Sequence, residues 1–177
     1  TWENPQRIAN FLTPKDPPVR DFGVEALRDR PRSAAGEALS PNMATALHIW
    51  EALSEAGVKF QSNPNSPYES IREDANFPVD YAQFPRETLK RRSGQCDDLT
   101  ALIISMLYGA NVRAAILDYP GHMALMFDTE TNDPAEAGLP EKEMVKYEGS
   151  YWIPLEATML GSTFVEAYRK ALYSYKT

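Results

Sequence analysis

The fold is decided by residues 93–109, which read SGQCDDLTALIISMLYG. Between Leu99 and Leu107 this segment is apolar on almost every side, which predicts a helix buried in the middle of a domain. Cys96 lies in its first turn, and Gly109 is placed to end it. The apolar run is far shorter than the about 20 residues of a membrane-spanning helix, so we expect no membrane span in this chain.

The sequence on either side of this helix predicts helices before it and strands after it. Asp16-Pro17-Pro18 and Ser40-Pro41 are helix-start signals, and Gly57 is placed to end the second of these helices. After the central helix, four strands and a last helix near Thr163 are predicted, the strands at 112–118, 122–128, 145–147 and 151–155. The acidic stretch 129–143 is expected to be a loop. Helices followed by strands predict an α+β domain with an antiparallel sheet.

Composition and charge limit the classes of function. The chain of 177 residues is expected to form one domain, 1–177. It has 25 acidic and 18 basic residues, a net charge of −7, which argues against nucleic acid as a partner because phosphate binding depends on Lys and Arg. Because the chain begins at Thr1 without a recognisable signal segment, we expect it to be a domain of a larger protein, and we assign no compartment.

The single cysteine and the acidic residues also exclude several kinds of site. One cysteine cannot form an internal disulfide, a zinc ribbon or a CxxC redox pair. The acidic residues that follow Asp128 do not fit the register of a calcium-binding loop, since the positions that require Gly and Glu hold Asp133 and Leu139. We therefore expect no metal and no cofactor.

Cys96 has two interpretations. A thiol at a helix start lies at the positive end of the helix dipole, beside unpaired N–H groups that favour the thiolate. The same N–H groups can stabilise an oxyanion on an acyl carbon. The alternative is that Cys96 is a small buried apolar residue, as most single cysteines are.

A nucleophilic cysteine needs a base, and the chain has two histidines. His48 falls on the polar side of its predicted helix and is expected to be a surface residue. His122 follows the Pro120-Gly121 turn at a strand start, where its ring can face a cleft and pair with a thiol. An imidazole in turn needs an acceptor that orients it, and Glu156, at the end of the last predicted strand, is the candidate.

Three blocks of the sequence resemble the transglutaminase-like superfamily, which has the papain-like cysteine-protease fold. They are SGQCDDL at 93–99, PGHM at 120–123 and WIPLEAT at 152–158. The family pattern is Gly-x-Cys-x-Asp, then His, then Trp-x-x-x-Asp-x-Thr. The preceding residues 84–89 resemble a bacterial and archaeal subgroup of these domains. The resemblance covers roughly residues 80–160 and implies a Cys96–His122–Glu156 triad within a catalytic core there. The helix signals before it predict a helical N-terminal extension at 1–40.

The chain departs from the family pattern at two points. Glu156 stands where the family has Asp, and the longer arm changes the geometry. His122 and Glu156 are also farther apart in sequence than in the family, and the stretch 129–143 is interpreted as an insertion that flanks the cleft.

Three further residues are candidates for oxyanion binding or positioning. Gln83 precedes the cysteine, and related folds use a side-chain N–H there as a second oxyanion donor, although a loop glutamine bonded to the backbone is the alternative. Asp98 either holds the cysteine loop or merely complements the helix dipole. Gly94 is expected to allow a sharp turn and the close approach of a substrate backbone.

The expected function is that of a cysteine-dependent acyl-transfer enzyme that hydrolyses a peptide or isopeptide amide through a thioester on Cys96. Its partner is then a peptide or protein substrate. Two alternatives remain open: a protein-crosslinking transamidase, and a catalytically silent module that binds peptides within a larger protein.

Overall fold

The computed structural model describes residues 5–28, 39–62 and 82–177. Six α-helices lie in this part of the chain: α1 Pro17–Arg28, α2 Pro41–Glu55, α3 Pro85–Arg91, α4 Cys96–Gly109, α5 Pro134–Ala137 and α6 Phe164–Lys176. Short 3-10 turns cover Pro5–Phe11, Glu141–Glu143 and Ala157–Met159. None of the helices in these ranges is long and apolar enough to cross a membrane.

Six strands accompany the helices: β1 Lys59–Phe60, β2 Ser93–Gly94, β3 Ala114–Tyr119, β4 His122–Asp128, β5 Val145–Tyr147 and β6 Ser150–Leu155. The last four form one antiparallel sheet in the order β3-β4-β6-β5. The described residues therefore form an α+β fold, as the sequence predicts.

Helix α4 lies at the centre of the core. Every residue from Asp97 to Leu107 is buried, because the helix is covered on several sides at once. It packs against β3 and β4 of the sheet and against α1, α2 and α3. From Leu99 onward, α4 is thus fixed by a large apolar cluster, which holds the start of the helix in place.

The sheet presents alternate residues to two different surroundings, since successive side chains of a strand point to opposite faces. Along β4, Leu125 and Phe127 join the cluster around α4, whereas Ala124 and Met126 join a second cluster with Leu172 of α6. The side chain of His122 lies on the same face of the strand as those of Ala124 and Met126. Its position on that face brings it beside residues of β3 and β6.

A second, two-stranded sheet is not predicted by the sequence. In it, β1 and β2 pair in parallel, with Lys59 opposite Ser93 and Phe60 opposite Gly94. Two-residue strands carry too little periodicity to be read from a sequence. This sheet ties the residues just before Cys96 to the segment that follows α2.

The stretch 129–143 differs from the expected loop. It contains α5 and the turn Glu141–Glu143, and Ala137 is completely buried. The stretch begins after Asp128, the last residue of β4, whereas His122 is the first residue of that strand. The interpretation that it flanks the cleft is therefore wrong, because the length of β4 separates the two.

The N-terminal extension predicted at 1–40 is described over 5–28 and 39–40. Within it, the turn Pro5–Phe11 and helix α1 are helical, and Ile8 and Val19 are completely buried. Residues 29–38, and 63–81 of the irregular region before α3, lie outside the described residues.

Candidate active site

His122 and Glu156 form a direct contact. Nε2 of His122 lies 2.7 Å from Oε2 of Glu156, a short distance that is typical of a strong hydrogen bond. Glu156 is almost completely buried, whereas about a third of the His122 side chain (35%) is exposed. Because Nε2 is used in this contact, Nδ1 is the ring nitrogen left to receive a proton.

Thr158 holds the other oxygen of Glu156. The hydroxyl of Thr158 donates to Oε1 of Glu156 at 2.7 Å, and its backbone N–H donates to the same oxygen at 3.1 Å. The carboxylate therefore also caps the turn Ala157–Met159. This anchoring explains how the longer glutamate arm reaches His122, and it assigns a role to the threonine of the WIPLEAT block that the sequence left without one.

Tyr119 lies on the opposite side of His122 from Glu156. The two residues pair across the β3–β4 hairpin, and their rings are nearly parallel, 11° apart, with centroids 6.3 Å apart. The hydroxyl of Tyr119 is buried and has no hydrogen-bond partner among the described residues. Burial, followed by the charges of Glu156 and Tyr175, raises the pKa of this phenol. The ring of His122 thus lies between a carboxylate and an aromatic side chain.

Cys96 approaches the same strand from the other side. The half-buried thiol packs in a small cluster with Met123 and Ile8. Met123 is the residue after His122, so the nucleophile and the base candidates meet at consecutive residues of β4. No hydrogen bond joins the Cys96 sulfur to the His122 ring within the described part of the chain.

The protonation of Cys96 differs from the expectation for a helix start. Burial and then the charge of Asp97 raise the pKa of the thiol, and the amides of Met123, Asp97 and Cys96 lower it by less. Two effects explain the result: a buried thiolate loses hydration, and Asp97, itself buried, is of like charge. The helix-start amides of Cys96 and Asp97 favour the thiolate, as expected, but burial and the charge of Asp97 outweigh them in this resting structure.

Asp98 binds the segments that lead to Cys96. Its Oδ1 accepts the backbone N–H of Gln83 at 2.6 Å, and its Oδ2 accepts the Gln83 side-chain amide at 2.8 Å and the backbone N–H of Gln95 at 2.9 Å. Asp98 is only 2% exposed. Its carboxylate therefore holds the loop before α4 and the segment before α3 in one arrangement.

Gln83 is engaged in the same network. Its Nε2 donates to Asp98 and to the carbonyl of Ser93, so both amide hydrogens have acceptors. In this arrangement the side chain directs no N–H at Cys96. The contact with Ser93 is the backbone-bonded alternative, and the role of Gln83 as an oxyanion donor stays a prediction.

Gly94 is required for a different reason from the expected turn. A Cβ at this position would lie 2.6 Å from Cβ of Asp98 and 3.2 Å from Cγ2 of Thr88. The missing side chain therefore lets β2 approach the first turn of α4 and the middle of α3. The close approach is to the protein's own Asp98.

Trp152, from the WIPLEAT block, and Asp128, at the start of the acidic stretch, make contacts within the sheet. Trp152 is buried, donates from its indole to Ser150, and lies under Arg113. Asp128 is fully buried and forms an ion pair with the same arginine. Both are part of the sheet's packing and lie away from His122.

Comparison of the chain with protein-family models, with curated proteins and with solved structures gives no match. The assignment of a function therefore depends on the residues and the geometry described above.

Proposed function

We propose that this protein is a cysteine-dependent acyl-transfer enzyme, with Cys96 as nucleophile, His122 as base and Glu156 as the residue that orients the base. The observation that carries the proposal is the His122–Glu156 contact of 2.7 Å, at the start of a strand whose next residue, Met123, packs with Cys96. The arrangement of a helix-start cysteine, a strand-start histidine and a late carboxylate also supports a papain-like, transglutaminase-like core.

The reaction begins from a thiol, because the pKa of Cys96 is raised. As sulfur attacks the substrate carbonyl, its proton passes to Nδ1 of His122, and the S–C bond forms. Nδ1 has to come within hydrogen-bonding distance of the sulfur for this step, and such contacts often tighten only when substrate is bound. Glu156 accepts the Nε2–H hydrogen bond throughout and stabilises the imidazolium.

The remaining steps follow from the same groups. The backbone N–H groups at the start of α4 lie beside the sulfur and can bind the oxyanion that forms on the carbonyl carbon. The C–N bond then breaks, and the leaving amine takes the proton from His122. Water attacks the thioester with His122 again as base, which releases the acid and restores the thiol.

We favour hydrolysis of a peptide or isopeptide amide over transamidation because water is always present at a site whose base is about one-third exposed. A crosslinking transamidase would use the same thioester and differ only in accepting an amine instead of water. The two outcomes separate when labelled amines compete with water for the acylated protein.

A peptide-binding module without catalysis is the second candidate, and one observation favours it. The Cys96 thiol is half-buried, has a raised pKa and makes no hydrogen bond to His122 in the described residues. In such a module the site would hold peptides without forming a thioester. The experiment has to detect the covalent step itself.

The test is a single-turnover acylation of the intact chain by an activated peptide ester, followed by mass spectrometry of the whole protein and of its peptides. We expect one acyl group, on Cys96, and none on Cys96→Ala. His122→Ala should slow acylation by about 10²–10⁴-fold, the usual contribution of a general base. His48→Ala is the matched control and should acylate at the wild-type rate.

Acylation elsewhere than Cys96, or equal rates for His122→Ala and His48→Ala, would refute the catalytic assignment. If the catalytic assignment is refuted, the peptide-binding module becomes the better description. Circular dichroism of each variant checks that the fold is retained.

A further inference from the structure

A polar pocket of about 180 Å³ adjoins the loop that leads into α4. Gln61, Arg91, Ser93 and Gln95 contribute to its walls, together with Gly94 and Asp98. It differs from the apolar clusters around Cys96 and α4, because amide, hydroxyl and guanidinium groups surround it. Such a pocket suits a polar group of a ligand.

Two charged residues line this pocket, Arg91 and Asp98. Asp98 accepts hydrogen bonds from three N–H groups of the wall, so its oxygens are already engaged. Arg91 is exposed and forms no ion pair with any residue in the described ranges. Lys90 and Arg92 flank it in a chain whose net charge is −7. An anionic group is the ligand that this pocket would attract.

The pocket also lies close to Cys96 along the backbone. Gly94 and Gln95 line it and immediately precede the nucleophile, and consecutive Cα atoms are about 3.8 Å apart. The pocket therefore adjoins the loop that leads directly into the nucleophile.

We propose that this pocket selects an acidic substrate residue, with Arg91 binding its carboxylate, next to the acyl group that Cys96 attacks. The placement beside a scissile bond depends on the proposed function, but the binding of the carboxylate does not. The guanidinium supplies a planar pair of N–H donors to the carboxylate. Arg91 is thus a specificity-determining residue.

The test measures binding, so that catalysis is not needed. Fluorescein-labelled peptides of five residues, Ala-Ala-X-Ala-Ala with blocked ends and X as Glu, Gln or Lys, are titrated into Cys96→Ala, and fluorescence anisotropy gives Kd. The alanines let the peptide slide until X meets the pocket. We expect the Glu peptide to bind at least about tenfold more tightly than the Gln peptide, as a charge-assisted hydrogen bond allows.

Arg91→Gln in the Cys96→Ala background should remove this preference. Lys90→Gln, another exposed charge one residue away that does not line the pocket, is the control and should retain the preference. Equal affinity for the Glu and Gln peptides, or the same preference in Arg91→Gln, overturns the inference.

The result separates this inference from the proposed function. If Cys96→Ala prefers the Glu peptide through Arg91 but the wild-type chain is not acylated, the anion pocket is supported and the catalytic function is refuted. If Cys96 is acylated but Cys96→Ala shows no preference for Glu, the catalytic function is supported and the anion pocket is refuted.

Discussion

Thr158 occupies one oxygen of Glu156 with two hydrogen bonds and leaves the other oxygen to His122. A glutamate side chain has three torsions, and free rotation would spread its oxygens over many positions. The pair of bonds from Thr158 removes that freedom where the imidazole needs a fixed acceptor.

Thr158→Val keeps the shape of the side chain but removes the hydroxyl donor to Glu156. We expect a loss of about 1 kcal/mol in the free energy of unfolding, the usual net value of one hydrogen bond. Acylation of Cys96 should slow by about tenfold or more, because small misplacements of reacting groups are costly. Urea unfolding and single-turnover acylation measure the two effects.

Thr158→Ser restores a hydroxyl at the same position and is the control for this prediction. It should recover most of the acylation rate even if stability is not fully restored. A Val variant that acylates as fast as the wild type would show that Thr158 does not position Glu156.

Asp97→Asn should lower the pKa of Cys96. A negative charge beside the thiol disfavours the thiolate, so its removal favours ionisation while Oδ1 of the asparagine can still accept from the Asp98 backbone. In the wild type, the rate of iodoacetamide alkylation should rise with a midpoint above about 8.5, the usual thiol value. In Asp97→Asn the midpoint should move down.

Glu130→Gln, exposed and just beyond the end of β4 that lies far from His122, is the matched charge control and should leave the alkylation midpoint unchanged. A midpoint in Asp97→Asn that stays or rises would show that Asp97 does not act on the thiol. Peptide mapping is not needed, since the chain has one cysteine.

Tyr119→Leu should disturb His122, whereas Tyr119→Phe should not. The leucine removes the ring that lies parallel to the imidazole, and the imidazole is then less restricted in its rotation. The phenylalanine removes only a buried hydroxyl that has no partner among the described residues. We expect acylation within about twofold of wild type for Phe and slower by about tenfold for Leu.

The melting temperature separates this effect from a general loss of structure. NMR of the His122 ring protons should show a changed environment in Tyr119→Leu and little change in Tyr119→Phe. If both variants keep the wild-type rate and ring shifts, Tyr119 has no positioning role.

Gly94→Ala should destabilise the protein and the network around Asp98. The new methyl group would meet Asp98 and Thr88 at distances that packed atoms do not tolerate. We expect a loss of about 1–3 kcal/mol, typical of overpacking. Differential scanning calorimetry measures it.

Gly23→Ala, in α1, is the comparison. A Cβ there has its nearest neighbour, in Met106, at 4.0 Å, and alanine is the better helix former. It should be neutral or stabilising. Equal stability of the two alanine variants would show that β2 can move away from Asp98 without cost.

The parts of the fold that the sequence predicts are those with local signals. Helix α4 begins and ends where its residues indicate, because a continuous apolar run and a terminal glycine leave few alternatives. Strand β4 likewise begins at His122, directly after the Pro120-Gly121 turn. Thr163 caps the last helix with Glu166, as the spacing of three indicates.

The parts that it does not predict depend on contacts distant in the chain. The four residues of α5 are too few for a helical period, and the parallel pairing of β1 with β2 joins segments more than thirty residues apart. The raised pKa of Cys96 depends on the depth of its burial, which no local pattern records. The positions of Thr158 and Tyr119 could have been found from the sequence. Thr158 lies two residues after Glu156, and Tyr119 faces His122 across a two-residue turn.

The alternation along β4 has a consequence for how mutations act on the site. A slip of one residue would carry Met123, Leu125 and Phe127 out of the core and turn His122 away from Glu156 and Tyr119. Burial of three such side chains contributes about 5–8 kcal/mol, so this slip is effectively forbidden. The packing of the interior therefore also fixes the face of the sheet on which the His122 side chain lies.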